Sequence, residues 1–479
     1  MDLLNVGYYD DTKHYYSIMM FNIRKIRKEL KVSQTQLSEI IHMSQHRLSS
    51  LELGKDTPLP EEIERITKAF NDIRNGTITI RKKKRISKEK FETSIVAENP
   101  RRGYKRTKNN EAYLQSLRNL EQEFQKKREN CPIAISFFAG CGGLCYGIKA
   151  AGFKIAATNE LVEDYKTIYK QNFPEANFLS NDIKNISEEE INALLEQYPE
   201  VDLFAGGPPC QGFSLAGKRD VSDKRNTLFS YYLKIANKVK PKVILMENVR
   251  LLTSMKNPDG NLVKDEILKT FAEIGYNSRF FIVNAADYGV AQYRQRVIFI
   301  GIRKDLNLLP EIADTICDKE IGLFAKQPYF TFGDAVSDLE FLEAGEQSKN
   351  DRYHKAIAHP EHVIRWLFNV PEGKSAHDNE DPSLRPPSGF NTTYKRQVWN
   401  EPGSTVQTTF GMISGGNNVH PIATRSLTIR EAMRLQSFPD SFKFDGKEGV
   451  VRTTIGNAVP PLLAYRIALF IKAHYIDKH

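Results

Sequence analysis

The chain has 479 residues and a net charge of +9, with 40% hydrophobic and 27% charged residues, a balance that allows two or three domains with real cores and excludes wholesale disorder. Its five cysteines show no CxxC or Cys/His metal spacing, so they read as reduced thiols of a cytoplasmic protein, and any special cysteine is chemical rather than structural. No run of 18 apolar residues and no basic head before an apolar stretch is present, so neither a membrane span nor a secretory signal is expected.

In chain order, helical periodicity comes first, with Ile23, Ile26 and Leu30, then Leu37, Ile40 and Ile41, at helical spacing within 21–73. Ser33 and Ser44 stand where they would cap successive helices. The segment FNIRKIRKELKVSQTQLSEIIHMSQHRLSSLELGKDTPLPEEIERITKAF resembles a Cro/repressor-type helix-turn-helix over about fifty residues. The resemblance implies a turn at 41–43, Gln45, His46, Arg47 and Ser49 facing the major groove, and Arg24 and Lys25 near phosphates. The turn glycine frequent in such domains is His42 here, and a small helical bundle for protein contacts is the alternative.

Residues 81–108 hold twelve Lys/Arg against three Asp/Glu, which leaves the rest of the chain about neutral. Such a run is either a solvated linker or a source of sequence-independent phosphate attraction. A polar helical pattern follows near 111–129. These features set an all-α DNA-binding domain at 1–80 and a basic linker at 81–130.

From 133 the texture changes to short apolar runs alternating with helical patterns: IAISFF, FKIAAT, VDLFAG, KVILMEN, RFFIVNA and VIFIGI. That alternation predicts an α/β domain built on a doubly wound, mostly parallel sheet. After the first strand, SFFAGCGG (136–143) opens a helix, and Gly140 and Gly142 let the backbone pass close to a ligand. Glu160, twenty residues after Gly140, closes the second strand where an acid can grip ribose hydroxyls. Asp182 in SND is expected after a third strand, placed to accept from an adenine amino group. The loop carries no Arg or Lys and its rim is acidic, so a cationic sulfonium cofactor fits better than a dinucleotide. A structural turn with two surface acids is the plainer alternative.

Next comes GGPPCQGFS (206–214), expected after a fourth strand, in which two prolines hold a loop that presents Cys210 at the sheet's carboxyl edge. MENV places Glu247 at that edge after a fifth strand, and QYRQR (292–296) supplies Arg294 and Arg296. The ordered set FAGCGG, NE, ND, GPPCQGFS, ENV, QYRQR, RSLTIREAMRLQSFPD and GNAVPP resembles the bacterial DNA (cytosine-5)-methyltransferases of restriction–modification systems over about 133–475.

That resemblance implies a class I AdoMet-dependent methyltransferase fold, S-adenosyl-L-methionine as cofactor, duplex DNA as substrate and no metal. It makes Cys210 the nucleophile, Glu247 the acid at the cytosine ring and Arg296 the holder of the base near O2, with Arg294 beside it among the catalytic residues. Phe138, Gly140, Gly142, Glu160, Asp182, Pro208, Asn457 and Val459 would line the cofactor pocket, with Gly456–Pro461 folded back beside the first strand. QGFSLAGKRDVSDKRNT (211–227), with Gln211, Ser214, Lys218 and Arg219, looks like a loop that closes over a flipped base; a solvated surface loop is the alternative.

The irregular, Pro-, Gly-, Asn- and Thr-rich stretch 325–424 corresponds to the family's target-recognition domain, inserted between catalytic segments 131–324 and 425–479. Within it, WNEPGSTVQTTFGM resembles the short recognition turn, which makes Thr405 and Val406 candidate base contacts, and ISGGNNVH could reach backbone or bases. The implied functional partner is a cognate restriction endonuclease. The N-terminal domain is expected to form a homodimer on operator DNA and to regulate its own gene. Two alternatives stand beside this: a family member acting on tRNA, and a DNA-binding regulator whose methyltransferase domain is inactive.

Overall fold

The computed structural model describes residues 23–53, 56–78, 103–209, 228–257, 259–318 and 327–478. The chain divides into two compact units, Met1–Lys90 and Phe91–His479.

In the first unit, residues 23–29 (α1), Gln34–Ile40 (α2), Gln45–Glu52 (α3) and Pro60–Arg74 (α4) are helical. Ser33 caps α2 in a reciprocal box with Gln36, and Ser44 caps α3 by accepting from the Arg47 amide. Of the apolar positions read from the sequence, Ile23, Leu37 and Ile41 are buried in one core with Leu48, Leu51, Ile66 and Phe70, and Ile26, Leu30 and Ile40 pack against it. His42 takes the left-handed conformation at φ 51°, so the α2–α3 turn forms without its customary glycine. Met43 N donates to Ser38 O at 2.9 Å across that turn.

In the second unit, six strands form one sheet in the order β2-β1-β3-β4-β6-β5. They are β1 (Ile133–Phe137), β2 (Lys154–Asn159), β3 (Leu203–Gly206), β4 (Val243–Val249), β5 (Tyr276–Asn284) and β6 (Gln295–Arg303). β1 to β4 run parallel, and β6 is antiparallel to both β4 and β5. Side chains alternate across this sheet. Ile135, Phe137, Phe204, Ile244 and Met246 face one core; Ala134, Leu203, Ala205, Val243 and Leu245 face the other. Helices cover both faces, which is the doubly wound arrangement expected. On the second of those faces lie Asn110–Gln125 (α5), Gly143–Ala150 (α6) and Pro461–Ile471 (α15).

Three expectations need correction. Asp182 does not follow a strand: near it Phe178 forms only an isolated bridge to Thr158, so GGPP follows the third strand and Glu247 sits on the fourth. The segment 103–130 is not a linker, because Tyr113, Leu117 and Leu120 of α5 are buried in the main core and Phe124 stacks on Tyr146 at 3.9 Å. The irregular stretch 325–424 is not separate at its ends, since Phe332, Val336, Trp399, Val406 and Phe410 belong to that same core. A satellite core of Val363, Leu367, Val370, Ala376, Ile413 and Val419 lies within it. Glu448–Ile476 is also long and apolar enough to cross a membrane by composition. It comprises Glu448–Asn457 (α14) and α15, which meet at Ala458–Pro460, and most of it is buried in the core.

Candidate active site and nucleic-acid interface

Strand register brings the candidate residues to one edge. Phe137 pairs with Asn159 on one side and Gly206 on the other, and Gly206 pairs with Met246. The residues just beyond these ends are therefore neighbours: Phe138, Glu160, Gly207–Pro208 and Glu247. Because β6 returns antiparallel, its early residue Arg296 pairs with Val249 and reaches the same edge.

Glu247 is 9% exposed, and its Oε1 receives Arg296 Nε at 2.8 Å. An added Cβ on Gly207 would stand 3.1 Å from the other oxygen, Oε2, which places that oxygen over the loop leading to Cys210. Asn248 donates to Pro208 O at 2.8 Å and pins that loop to the end of β4. Tyr232 braces the strands beneath, donating within 3.0 Å of both Phe204 O and Leu245 O. Cys210, Gln211, Ser214, Lys218 and Arg219 lie outside the described residues.

On the cofactor side, Phe138 is held at φ 56°, a left-handed conformation that costs a non-glycine residue about 1 kcal/mol. Strain of this kind persists where the surroundings over-determine it. Gly140 N donates to Glu160 Oε2 at 2.8 Å and Val162 N to Oε1 at 2.9 Å. Burial pushes the Glu160 carboxyl up, against the pull of those amides. Gly142, also left-handed at φ 98°, starts α6. Asp182 caps the turn Ile183–Asn185 by accepting from Lys184 N at 3.0 Å. Among the described residues, nothing stands within 4 Å of where a Gly140 Cβ would be. An open-backed glycine loop beside a buried carboxylate fits a ligand offering ribose hydroxyls and a positive charge. α15 packs along α6, and Val459 O and Ala458 crowd the place a Cβ on Gly143 would need, which sets GNAVPP against the start of α6, with Asn457 exposed and Val459 buried.

Arg294 sits differently from its expected role. It is 1% exposed and donates to two carbonyls, Val406 O at 3.1 Å and Gly456 O at 2.7 Å. It braces the site rather than touching a substrate. Val406 is also corrected: its side chain lies in the main core at 2% exposure, so it faces no base. Thr405 is exposed, with its hydroxyl donating to Tyr293 O at 2.8 Å. Asn418 of the glycine-rich loop is turned inward, onto Thr409 O and Met412 O. Sequence reasoning passed over Gln292 and Gln436, both 0% exposed. The signal was available: each is a polar residue inside a quoted motif, QYRQR and RLQSF.

In the first unit, Arg47 does not project freely from α3. It pairs with Glu62 at 2.9 Å and Asp56 at 3.2 Å and donates to Thr57 O. Ser49 lines a cavity with Arg24, Arg27 and Glu52. The side chains of Gln45 and His46 lie outside the described residues. Arg24 and Lys25 are exposed.

A doubly wound sheet with a glycine loop after β1, an acid closing β2 and a buried acid–arginine pair at β4 defines a class I methyltransferase. Residues 133–473 match the C-5 cytosine-specific DNA methylase family, and the chain belongs to that family; residues 23–74 match a helix-turn-helix family. The chain is thus a DNA (cytosine-5)-methyltransferase carrying an N-terminal helix-turn-helix.

It is 35% identical to the type II methyltransferase M.DdeI of Desulfomicrobium norvegicum, over 70% of this chain and 87% of that protein. Type II methyltransferase M.Sau96I of Staphylococcus aureus is 29% identical over 95% of this chain and 98% of its own length. The crystal structure of a putative DNA modification methyltransferase encoded within an E. coli prophage shares the fold, with a TM-score of 0.55 at 23% identity, over 71% of this chain and 97% of that one.

Proposed function

We propose that Cys210 adds as a thiolate to C6 of a cytosine rotated out of duplex DNA, with Glu247 and Arg296 holding the ring while C5 is methylated. The observation that carries this is the Glu247–Arg296 pair beside the proline-held loop that runs into Cys210. Adding sulfur to C6 breaks the ring's aromaticity, and the electron pair displaced toward C5 makes that carbon nucleophilic. Glu247 hydrogen-bonds at N3 and the exocyclic amine as the proton reaches N3, and Arg296 holds O2. S-adenosylmethionine, when bound, supplies an electrophilic methyl carbon. Phe138, Gly140, Gly142, Glu160, Asp182, Pro208, Asn457 and Val459 would hold it. Loss of the C5 proton then expels the Cys210 thiolate and restores the aromatic ring. A free thiol is only a few per cent ionised near neutral pH, and Arg296 supplies a positive charge that favours the thiolate.

Substrate choice falls to the recognition stretch within 325–424, with Thr405 at its DNA-facing turn. The relatives' names point to a type II system, in which methylation protects DNA from a companion restriction endonuclease. The testing experiment is tritiated methyl transfer to unmethylated duplex DNA, followed by mapping of the labelled base. Label on C5 of one cytosine within a fixed short sequence is the expected result. Label on tRNA and none on DNA would overturn the substrate assignment.

A further inference from the structure

Three buried side chains join the turn at Thr405–Val406 to the loop that carries Asn457 and Val459. Gln292 Oε1 accepts from Val406 N at 2.9 Å, and its Nε2 donates to Leu435 O at 3.0 Å and Gln436 Oε1 at 3.1 Å. Gln436 passes the bridge on, its Nε2 donating to Ile455 O at 2.6 Å and Ala458 O at 3.4 Å. Arg294 closes the circuit by spanning Val406 O and Gly456 O. The two pieces also touch directly, because the Thr408 backbone occupies the place a Cβ on Gly456 would need.

The bridge is directional. Turning the Gln292 amide over would set its NH2 group against the Val406 N–H, so donors and acceptors agree in one orientation only. Apolar packing would hold the two segments together but let them slide. A chain of amides and a forked guanidinium fixes their register, and buried polar networks act as a unit. That register matters to the chemistry, since a misplacement of about 1 Å can cost roughly 100-fold in rate.

We propose that Gln292, Arg294 and Gln436 are positioning residues that lock the recognition turn and the cofactor loop into one piece, so that DNA and S-adenosylmethionine strengthen each other's binding. This rests on the preceding assignment of Thr405 to DNA and of Asn457 and Val459 to the cofactor. The outer side of the turn, Thr405 and Gln407, is exposed, so a ligand ordering it also orders the loop behind it. Such coupling is reciprocal for binding.

The test uses calorimetry of S-adenosylhomocysteine binding to the full chain, alone and with a saturating pool of unmethylated duplexes covering all short sequences. For the natural chain, DNA should tighten S-adenosylhomocysteine binding by at least about 5-fold. Gln436→Met should keep the DNA-free affinity and lose that tightening, and KM for S-adenosylmethionine at saturating DNA should rise more than kcat falls. Gln292→Met cuts the same bridge from the other end and should behave alike, so one variant is read if the other does not fold. The double variant should lose no more coupling than either single one. Undiminished tightening in a folded variant, additive losses, or no tightening in the natural chain would each overturn the proposal. A natural chain that transfers no methyl group to DNA cytosine would instead overturn the functional assignment beneath it.

Discussion

Glu247 illustrates how much one side chain is asked to do. Its carboxylate is nearly buried, held through one oxygen by Arg296 and set over the loop that leads to Cys210. Glu247→Gln keeps the shape and removes the acid. Single-turnover methylation should therefore slow by about 10²–10⁴-fold, as loss of a general acid does, with DNA binding little changed. A purely structural acid would show the opposite pattern, a lower melting temperature with the rate per folded molecule intact. Cys210→Ala should abolish transfer while S-adenosylhomocysteine still binds. DNA containing 5-fluorocytosine should trap a covalent complex with the natural chain and not with this variant, since fluorine cannot leave as a proton. Trapping by the alanine variant would remove Cys210 from the mechanism. Both residues stand out in the sequence because each sits in a dense motif of unusual composition. The sequence did not reveal that Arg294 braces two carbonyls, because Arg294 lies just before β6 and Arg296 within it, and spacing alone does not say which partners each side chain meets. Here Arg294 turns into the protein and Arg296 toward the strand-end acid.

At the scale of elements, all six strands were legible from alternating apolar runs, and they reached one edge because parallel neighbours share a register. What could not be read was where α5 packs. Its pattern is amphipathic but polar overall, and a helix of that kind is indistinguishable from a solvated linker until its partner surface is known. The partners are α6, through Phe124 on Tyr146, the stretch 325–424, through Asn110 Nδ2 to Asp334 O at 2.9 Å, and the segment after it, through Tyr113 OH to Arg434 O at 2.5 Å. Thr107 and Tyr104 extend this strap over Asp334 and Leu339. Burying Tyr113, Leu117 and Leu120 is worth about 1.5–3 kcal/mol each as an upper estimate, a large share of the 5–15 kcal/mol that holds a typical domain. A fragment beginning at 103 should fold and melt cooperatively. One beginning at 131, close to where the family match starts, should aggregate or melt far lower. Equal melting temperatures for the two fragments would show that the strap is dispensable. His42 makes a smaller case of the same kind. Its left-handed φ was invisible in a sequence that lacks the usual glycine, and His42→Gly should raise the first unit's stability by about 1 kcal/mol in denaturant unfolding.

For the molecule as a whole, buried histidines set an acid limit. Burial, helped by nearby Arg425, lowers His359 to about 4, and burial beside Arg425 also pushes His420 well down. Above about pH 6.5 His359 is neutral in both folded and unfolded chains and the term vanishes. Between about 6.5 and 4 only the unfolded chain takes the proton, so stability falls as pH falls through that window, by on the order of 3 kcal/mol for His359 alone. His359→Gln should shrink the drop in melting temperature between pH 7 and 4.5; an unchanged drop would assign it elsewhere. The two-unit organisation poses a different question, because the recognition role proposed for 325–424 makes a second sequence reader redundant for choosing the methylation site. Match over 95% of the chain with a staphylococcal type II methyltransferase shows that an N-terminal extension accompanies the enzyme elsewhere too. In a restriction–modification system, too little methylase exposes host DNA to cleavage, so a methylase that binds its own operator can adjust its supply. Repressor-type domains bind as dimers across half-sites about 34–36 Å apart. The expected outcome is protection of a palindrome upstream of the gene, distinct from the methylated site, by the full chain in footprinting. Arg47 is the wrong residue for testing this, because it holds Glu62 and Asp56, and Arg47→Ala would loosen α3 against α4 as well as alter any DNA contact. Gln45→Ala and His46→Ala, at the start of α3, are the cleaner substitutions: each should weaken operator protection and leave methyl transfer nearly unchanged. Parallel loss of both activities, or no protected palindrome, would make the first unit an accessory clamp on the DNA being methylated.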